Sequence, residues 1–255
     1  MKIPRQSLAF FLLIVLFHPL LVFGQALELP NEEALQDLKT LSSDSYQGRA
    51  TGTEGGKMAQ EYIKQRMEEI GLEPYRGEWY QTFTASDRDE QSLPAANVVG
   101  ILPGRSSEAA IVISAHYDHL GVRGDDIYNG ADDNASGTAA ILAIASYFKE
   151  HTPEHTLIFA AFDAEEIGLQ GSRHFVSQLP KDEEILFNLN FDMISRSAAK
   201  EIFAVGTYHL PALKPRMEHL VDKEKWGVLV RFGHDRPRSH RQDWTYASDH
   251  APFFR

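Results

Sequence analysis

The chain has 255 residues, with 25 basic and 36 acidic side chains, a formal charge of −11 and no cysteine. The negative charge argues against nucleic acid as a partner, which calls for a basic face. The lack of thiols excludes disulfides and zinc–thiolate centres, so the fold is held by its apolar core alone, which a chain of this length can build.

The sequence opens on Lys2 and Arg5, runs through "LAFFLLIVLFHPLLVFG" and reaches small residues at Gly24 and Ala26. That order predicts a secretory signal peptide over 1–24 and a secreted or periplasmic protein. The apolar run is short for a membrane span and is interrupted by His18 and Pro19, so no stable membrane anchor is expected after cleavage. One domain over 25–255 remains. The segment removed carries two basic and no acidic residues, which takes the formal charge from −11 to −13.

"PNEEALQDLKTLS" predicts a helix, with Asn31 as its cap and Leu35, Leu38 and Leu41 as its apolar repeat. A polar, glycine-rich loop, "SSDSYQGRATGTEGG", follows. "EGGKMAQEYIKQRMEEIGLEP" predicts a second helix, with Met58, Tyr62, Met67 and Ile70 near one face and Gly71 closing it. "TASDRDEQS" reads as a surface loop and "ANVVGILPG" as a strand and turn. "AAIVISAHYDHLG" is a continuous apolar run ending in polar residues, the pattern of a strand buried on both faces. "GTAAILAIASYFKE" is an apolar helix, "HTLIFAAFDAEE" a second buried strand and "ILFNLNFDMIS" a third. "KEIFAVG" and "VLVRFG" are further strands, with the helix "PALKPRMEHLVDKEKW" between them. Strands alternating with helices give the α/β class, with a mainly parallel mixed sheet flanked by helices.

Chemistry collects at the strand ends. The first buried strand ends in His116, Tyr117 and Asp118, the second in Asp163, Glu165 and Glu166, and the third in Asp192. "NGADDNASG", with Asp132 and Asp133, lies between the first strand and the next helix. Sites in open α/β sheets form beyond the carboxyl ends of the strands, so these four segments can converge. A histidine among carboxylates, with no thiolate, suits zinc or another divalent metal that accepts nitrogen and oxygen. Asp118 stands two residues after His116, on the same side of the strand, where its carboxylate can accept the other ring N–H. Neighbouring side chains at a strand end point to opposite sides. One of Glu165 and Glu166 can therefore bind metal while the other takes a proton from a water that the metal has acidified.

With these residues in place, the chain resembles the co-catalytic zinc peptidases of metallopeptidase clan MH, which include secreted bacterial aminopeptidases, glutamate carboxypeptidase and the glutaminyl cyclases. The resemblance runs from Leu41 to Arg255 and rests on "LSSDSYQGRATGTEGG", "AHYDHLG", "NGADDNASG", "FDAEEIGLQGSRHF", "NFDMIS" and "SDHAPF", in the family order. It implies a zinc exopeptidase fold, peptide substrates and two zinc ions. It makes His116 and Asp192 ligands of one zinc, Glu166 a ligand of the other, Asp132 the bridge, Glu165 the general base and Asp118 the group that orients His116. The fifth ligand of the family is a histidine in a "YHxxxD"-like segment after "SDHAPF" and one further strand. The sequence ends at Arg255, three residues after Pro252, so the resemblance implies a chain lacking that C-terminal segment. It leaves the second zinc site incomplete, with His250 as the available substitute ligand. The implied activity is that of an exported aminopeptidase. A glutaminyl cyclase-type transferase and a binding module without catalysis stay open, the latter because of the fifth ligand.

Overall fold

The computed structural model describes residues 31–221, 227–236 and 243–254; the expected signal peptide lies outside them. In chain order these residues form α1 (Asn31–Leu41), α2 (Glu54–Ile70), β1 (Glu73–Pro74), β2 (Tyr80–Ser86), β3 (Ser92–Leu102), β4 (Ser106–His116), the hairpin of β5 (Gly121–Arg123) and β6 (Asp126–Tyr128), and α3 (Ser136–Glu150). Then come β7 (His155–Phe162), α4 (Gln170–Ser177), β8 (Ile185–Asn190), β9 (Glu201–Ala204), α5 (Leu213–Leu220) and β10 (Leu229–Phe232).

Successive side chains of a strand face opposite sides of the sheet, and β3, β4 and β7 have apolar residues at both parities. Val98, Ile113, Phe159 and Ala161 join a core with Leu41, Ile63, Met67 and Leu142 of α1, α2 and α3. Their neighbours Val99, Val112, Ile158 and Phe162 join a second core with Phe175 of α4. The sheet is thereby buried on both faces at its centre. Its order is β1-β3-β7-β4-β8, with β2 also paired to β3. The sheet is mixed: β4 runs parallel to β7 and β8, while β3 runs antiparallel to β7, β1 and β2. The three site-bearing strands therefore share one direction. Register sets their ends level, because His116 pairs with Phe162 and Ser114 with Asn190.

Local chemistry explains the element ends. The Thr53 hydroxyl accepts from Gly56 N at the start of α2, and Gly71 ends that helix in the left-handed region with its N–H on the Met67 and Glu68 carbonyls. The buried face of α2 is Ala59, Ile63 and Met67, and Met58 is exposed. β8 departs from the expected buried strand. Leu186 and Leu189 are exposed, Ile185 packs on the second core, and two polar side chains bond to β4: Asn188 donates to the Ser114 hydroxyl at 2.9 Å, and that hydroxyl donates to Asn190 at 2.8 Å. In the expected "TASDRDEQS" loop, only the turn is a loop. The Asp87 carboxylate accepts from Asp89 N and Gln91 N, and the flanking residues belong to β2 and β3.

One buried cation joins the segments around the strand ends. Arg49, in the glycine-rich loop after α1, is fully buried. Its guanidinium donates to the carbonyls of Leu41 (2.6 Å), Tyr117 (2.8 Å), Asn129 (2.7 Å) and Gly130 (2.9 Å). The end of α1, the exit of β4 and the loop before α3 are thus fastened to one side chain.

Candidate metal centre

His116 is the last residue of β4 and is buried. Its Nδ1 lies 3.1 Å from the Asp118 carbonyl, so an Nδ1–H donates there and Nε2 is turned to the open side. Nε2 lies 3.3 Å from Asp133 Oδ1 and 3.4 Å from Asp192 Oδ1. Three residues further on, His119 Nδ1 lies 2.7 Å from Glu166 Oε1 and 3.8 Å from Asp133 Oδ2. Two groups of ligating side chains result, His116–Glu165–Asp192 and His119–Asp133–Glu166, each with its atoms within 4.8 Å of one another.

The turn after β7 places the paired glutamates. Asp163 is its buried anchor, accepting from Ala96 N at 3.0 Å, Ala164 N at 2.8 Å and the Thr51 hydroxyl at 2.9 Å. Leu169 N and Gly168 N then return to the Glu165 carbonyl. The Asp118 carboxylate accepts from Glu165 N at 3.1 Å and Glu166 N at 3.3 Å. With the backbone fixed at both peptides, Glu165 reaches the His116 group and Glu166 the His119 group.

Residues 97–255 match the sequence pattern of Peptidase family M28. The chain belongs to that family. Among proteins of known name it is 31% identical over 164 residues to leupeptin-inactivating enzyme 1 of Streptomyces exfoliatus, covering 63% of this chain and 34% of that protein. It is 34% identical over 113 residues to aminopeptidase YwaD of Bacillus subtilis, covering 42% and 24%. The M28 chain therefore matches 34% and 24% of the length of these two relatives. Among solved structures its fold matches BSAP, a zinc aminopeptidase of Bacillus subtilis, with a TM-score of 0.68 at 17% identity over 90% of this chain and 84% of that one. It also matches glutaminyl cyclase of Porphyromonas gingivalis, with a TM-score of 0.66 at 16% identity over 88% and 78%. These likenesses show the fold.

Of the residues singled out in the M28 chain by sequence, His116, Glu165, Glu166 and Asp192 are brought together and Asp132 is not. Asp132 Oδ1 accepts instead from Ser195 N at 3.0 Å and the Ser195 hydroxyl at 2.9 Å. Its neighbour Asp133 lies between the two histidines, one oxygen toward each. The physical reason is the backbone: Asp133 is extended (φ −108°, ψ 96°) inside the turn Ala131–Ala135, so the two side chains diverge. Asp118 also differs from expectation. Its carbonyl accepts from the His116 ring at 3.1 Å, its carboxylate is 3.6 Å away, and that carboxylate serves the glutamate turn. His250 lies 3.0 Å from the Trp244 carbonyl through Nε2 and belongs to neither ligating group among the described residues. His119 was passed over by sequence, although the spacing His-x-x-His across a strand exit was a visible signal.

The electrostatics of this M28 centre show a shortage of positive charge. Burial pushes Glu165 up to about 8 and Asp249 up to about 7, with Asp118 and Asp192 adding to both shifts and His116 opposing them. Burial also pushes Asp163 up to about 6, helped by Asp118. Burial would lower His116, but Asp118, Asp133 and Asp192 outweigh it and hold the ring well above its ordinary value. Asp249 is fully buried and, among the described residues, neither of its oxygens has a hydrogen-bond partner; the nearby Ser172 hydroxyl donates to the Leu169 carbonyl. Carboxylates that retain protons near neutrality beside imidazole nitrogens form a donor set suited to a divalent cation.

Proposed function

We propose that this M28 chain is an exported, zinc-dependent aminopeptidase that hydrolyses N-terminal residues from peptides. The observation that carries the reading is the pair of nitrogen–carboxylate groups, each within 4.8 Å, with Asp133 facing both histidines. His116 and Asp192 would hold one zinc, Glu166 the other, and Asp133 would lie between them. Zinc bound there supplies a Lewis acid that acidifies water and polarises a carbonyl. Glu165 does the proton work. Its carboxylate stands beside His116 and Asp192, within reach of a water bound there, and can take a proton from that water and return it to the leaving amine. Asp118 holds the Glu165 and Glu166 peptides, so the base and the metal-facing carboxylate move together. Export rests on the signal-peptide pattern of residues 1–24; among the described residues no helix is long and apolar enough to cross a membrane.

The test is Glu165→Gln, assayed on peptides with free and acetylated N-termini. We expect unchanged zinc content, a kcat lower by ~10²–10⁴, and no cleavage of acetylated peptides by the parent. Near-normal kcat with full zinc would remove Glu165 from its role. Ring closure of N-terminal glutamine without peptide cleavage would replace the aminopeptidase reading with the cyclase one.

A further inference from the structure

His119 has no role in the reading above, which rests on His116, Asp118, Asp133, Glu165, Glu166 and Asp192. We propose that His119 is a metal ligand, completing the second zinc position with Asp133 and Glu166 through Nδ1. This rests on the zinc reading of the centre.

Three observations carry it. The first is the sharing of Asp133: its Oδ1 faces His116 Nε2 at 3.3 Å and its Oδ2 faces His119 Nδ1 at 3.8 Å. A carboxylate with one oxygen toward each of two imidazoles is arranged as a bridge between two equivalent positions, each with its own nitrogen. A simple ion pair between His119 and Glu166 would explain their 2.7 Å separation and leave the second Asp133 oxygen without a reason to face the ring.

The second is that the ring is seated by the loop that carries Asp133. Gly130 has φ +55°, and a Cβ there would stand 2.6 Å from Cγ and Cδ2 of His119, so only glycine leaves the ring its place. His119 N donates to the Arg49 carbonyl, and the Arg49 guanidinium holds the carbonyls of Gly130 and Tyr117. The histidine and the loop that carries Asp133 are thus tied to one buried side chain. The His119 side chain is 10% exposed, so packing already orders it against the carboxylates, and binding a metal costs little further ordering.

The third is the chemistry of the set. Zinc sites that catalyse usually have three protein ligands, and among the described residues the third side chain grouped with Asp133 and Glu166 is His119. An imidazole nitrogen brings the second position to the composition of the first, one histidine with carboxylates.

The experiment uses the protein itself, with zinc as the probe. Zinc per chain is measured after dialysis against a moderate chelator, and affinities by competition, for the parent, His119→Ala and Glu165→Gln. We expect two zincs in the parent and in Glu165→Gln, one in His119→Ala, and a second-site affinity at least about 100-fold weaker; residues that only orient a ligand cost 10–100-fold. Two zincs at parental affinity in His119→Ala would overturn the inference and leave the zinc reading standing. No zinc in the parent would overturn both, and one zinc in the parent would overturn the completed second position. A second readout needs no substitution. In the ¹⁵N-histidine protein, the second equivalent of zinc should shift His119 Nδ1 in long-range proton–nitrogen spectra. An unmoved Nδ1 with two zincs bound would equally overturn the assignment.

Discussion

Asp132 and Asp133 have the same chemistry and adjacent places, yet one ties a loop and the other faces two histidines. Asp132 anchors Ser195, which follows the strand bearing Asp192, while Asp133 lies between His116 and His119. The two roles fail differently. Asp133→Ala should lose zinc from both positions, because the group between them is gone. Asp132→Ala should retain zinc and cost on the order of 1–2 kcal/mol of stability, the loss of a carboxylate accepting two hydrogen bonds at the surface. Elemental analysis and urea unfolding of the two variants separate the roles; zinc lost from Asp132→Ala and retained in Asp133→Ala would reverse the assignment. No pattern of residue types distinguishes the pair, and the choice of Asp132 as the bridge came from the family resemblance. The side-chain directions are set by the φ and ψ of one turn.

At the scale of elements, the centre depends on a loop. Arg49 donates to four carbonyls from the end of α1, the exit of β4 and the approach to α3. Arg49→Met would leave those acceptors without their donor, and we expect a loss of about 3 kcal/mol or more. Arg49→Lys should recover little, since an ammonium cannot present the guanidinium fork to acceptors spread around it. Urea unfolding of the metal-free proteins checks both, and a loss below about 1 kcal/mol in Arg49→Met would show that water replaces the guanidinium. The sequence made the strongly periodic elements legible, α2, α3, β4 and β7, because their apolar runs are long and end at clear caps. It did not reveal β2, whose "YQTFTAS" mixes polar residues into a hairpin strand, nor α4, whose "QGSRHFVS" is short and buries chiefly Phe175. It made β8 look buried, since "ILFNLN" hides two asparagines that bond to Ser114. Glycine-rich composition marked residues 42–56 as a loop, but nothing in composition said that its arginine would be a fully buried strut.

For the whole molecule, protons and cations compete for the same surplus of acids. The chain carries 36 acidic against 25 basic side chains, and several of the acids are concentrated at the strand ends. Asp249 isolates the effect. Burial raises it to about 7, against ~3.9 in an unfolded chain. The folded state therefore holds the extra proton, and the stability this provides is complete below pH ~4 and lost as pH rises through about 7. In metal-free protein, Asp249→Asn should gain stability relative to the parent over that interval, on the order of 2 kcal/mol or more, with no further gain at higher pH. Urea unfolding of both proteins across pH 4 to 8 checks this (~4 and ~8 bracket the two values), and a difference that does not change with pH would show that Asp249 is not protonated in the fold. The account as a whole rests on two neighbouring metal positions joined by Asp133. Anomalous diffraction at the zinc edge, on crystals grown with zinc, measures this most directly. The account predicts two peaks about 3.5–4 Å apart, with Asp133 between them, His116 and Asp192 at one and Glu166 at the other. A single peak, or a bridge made by Asp132, would contradict it.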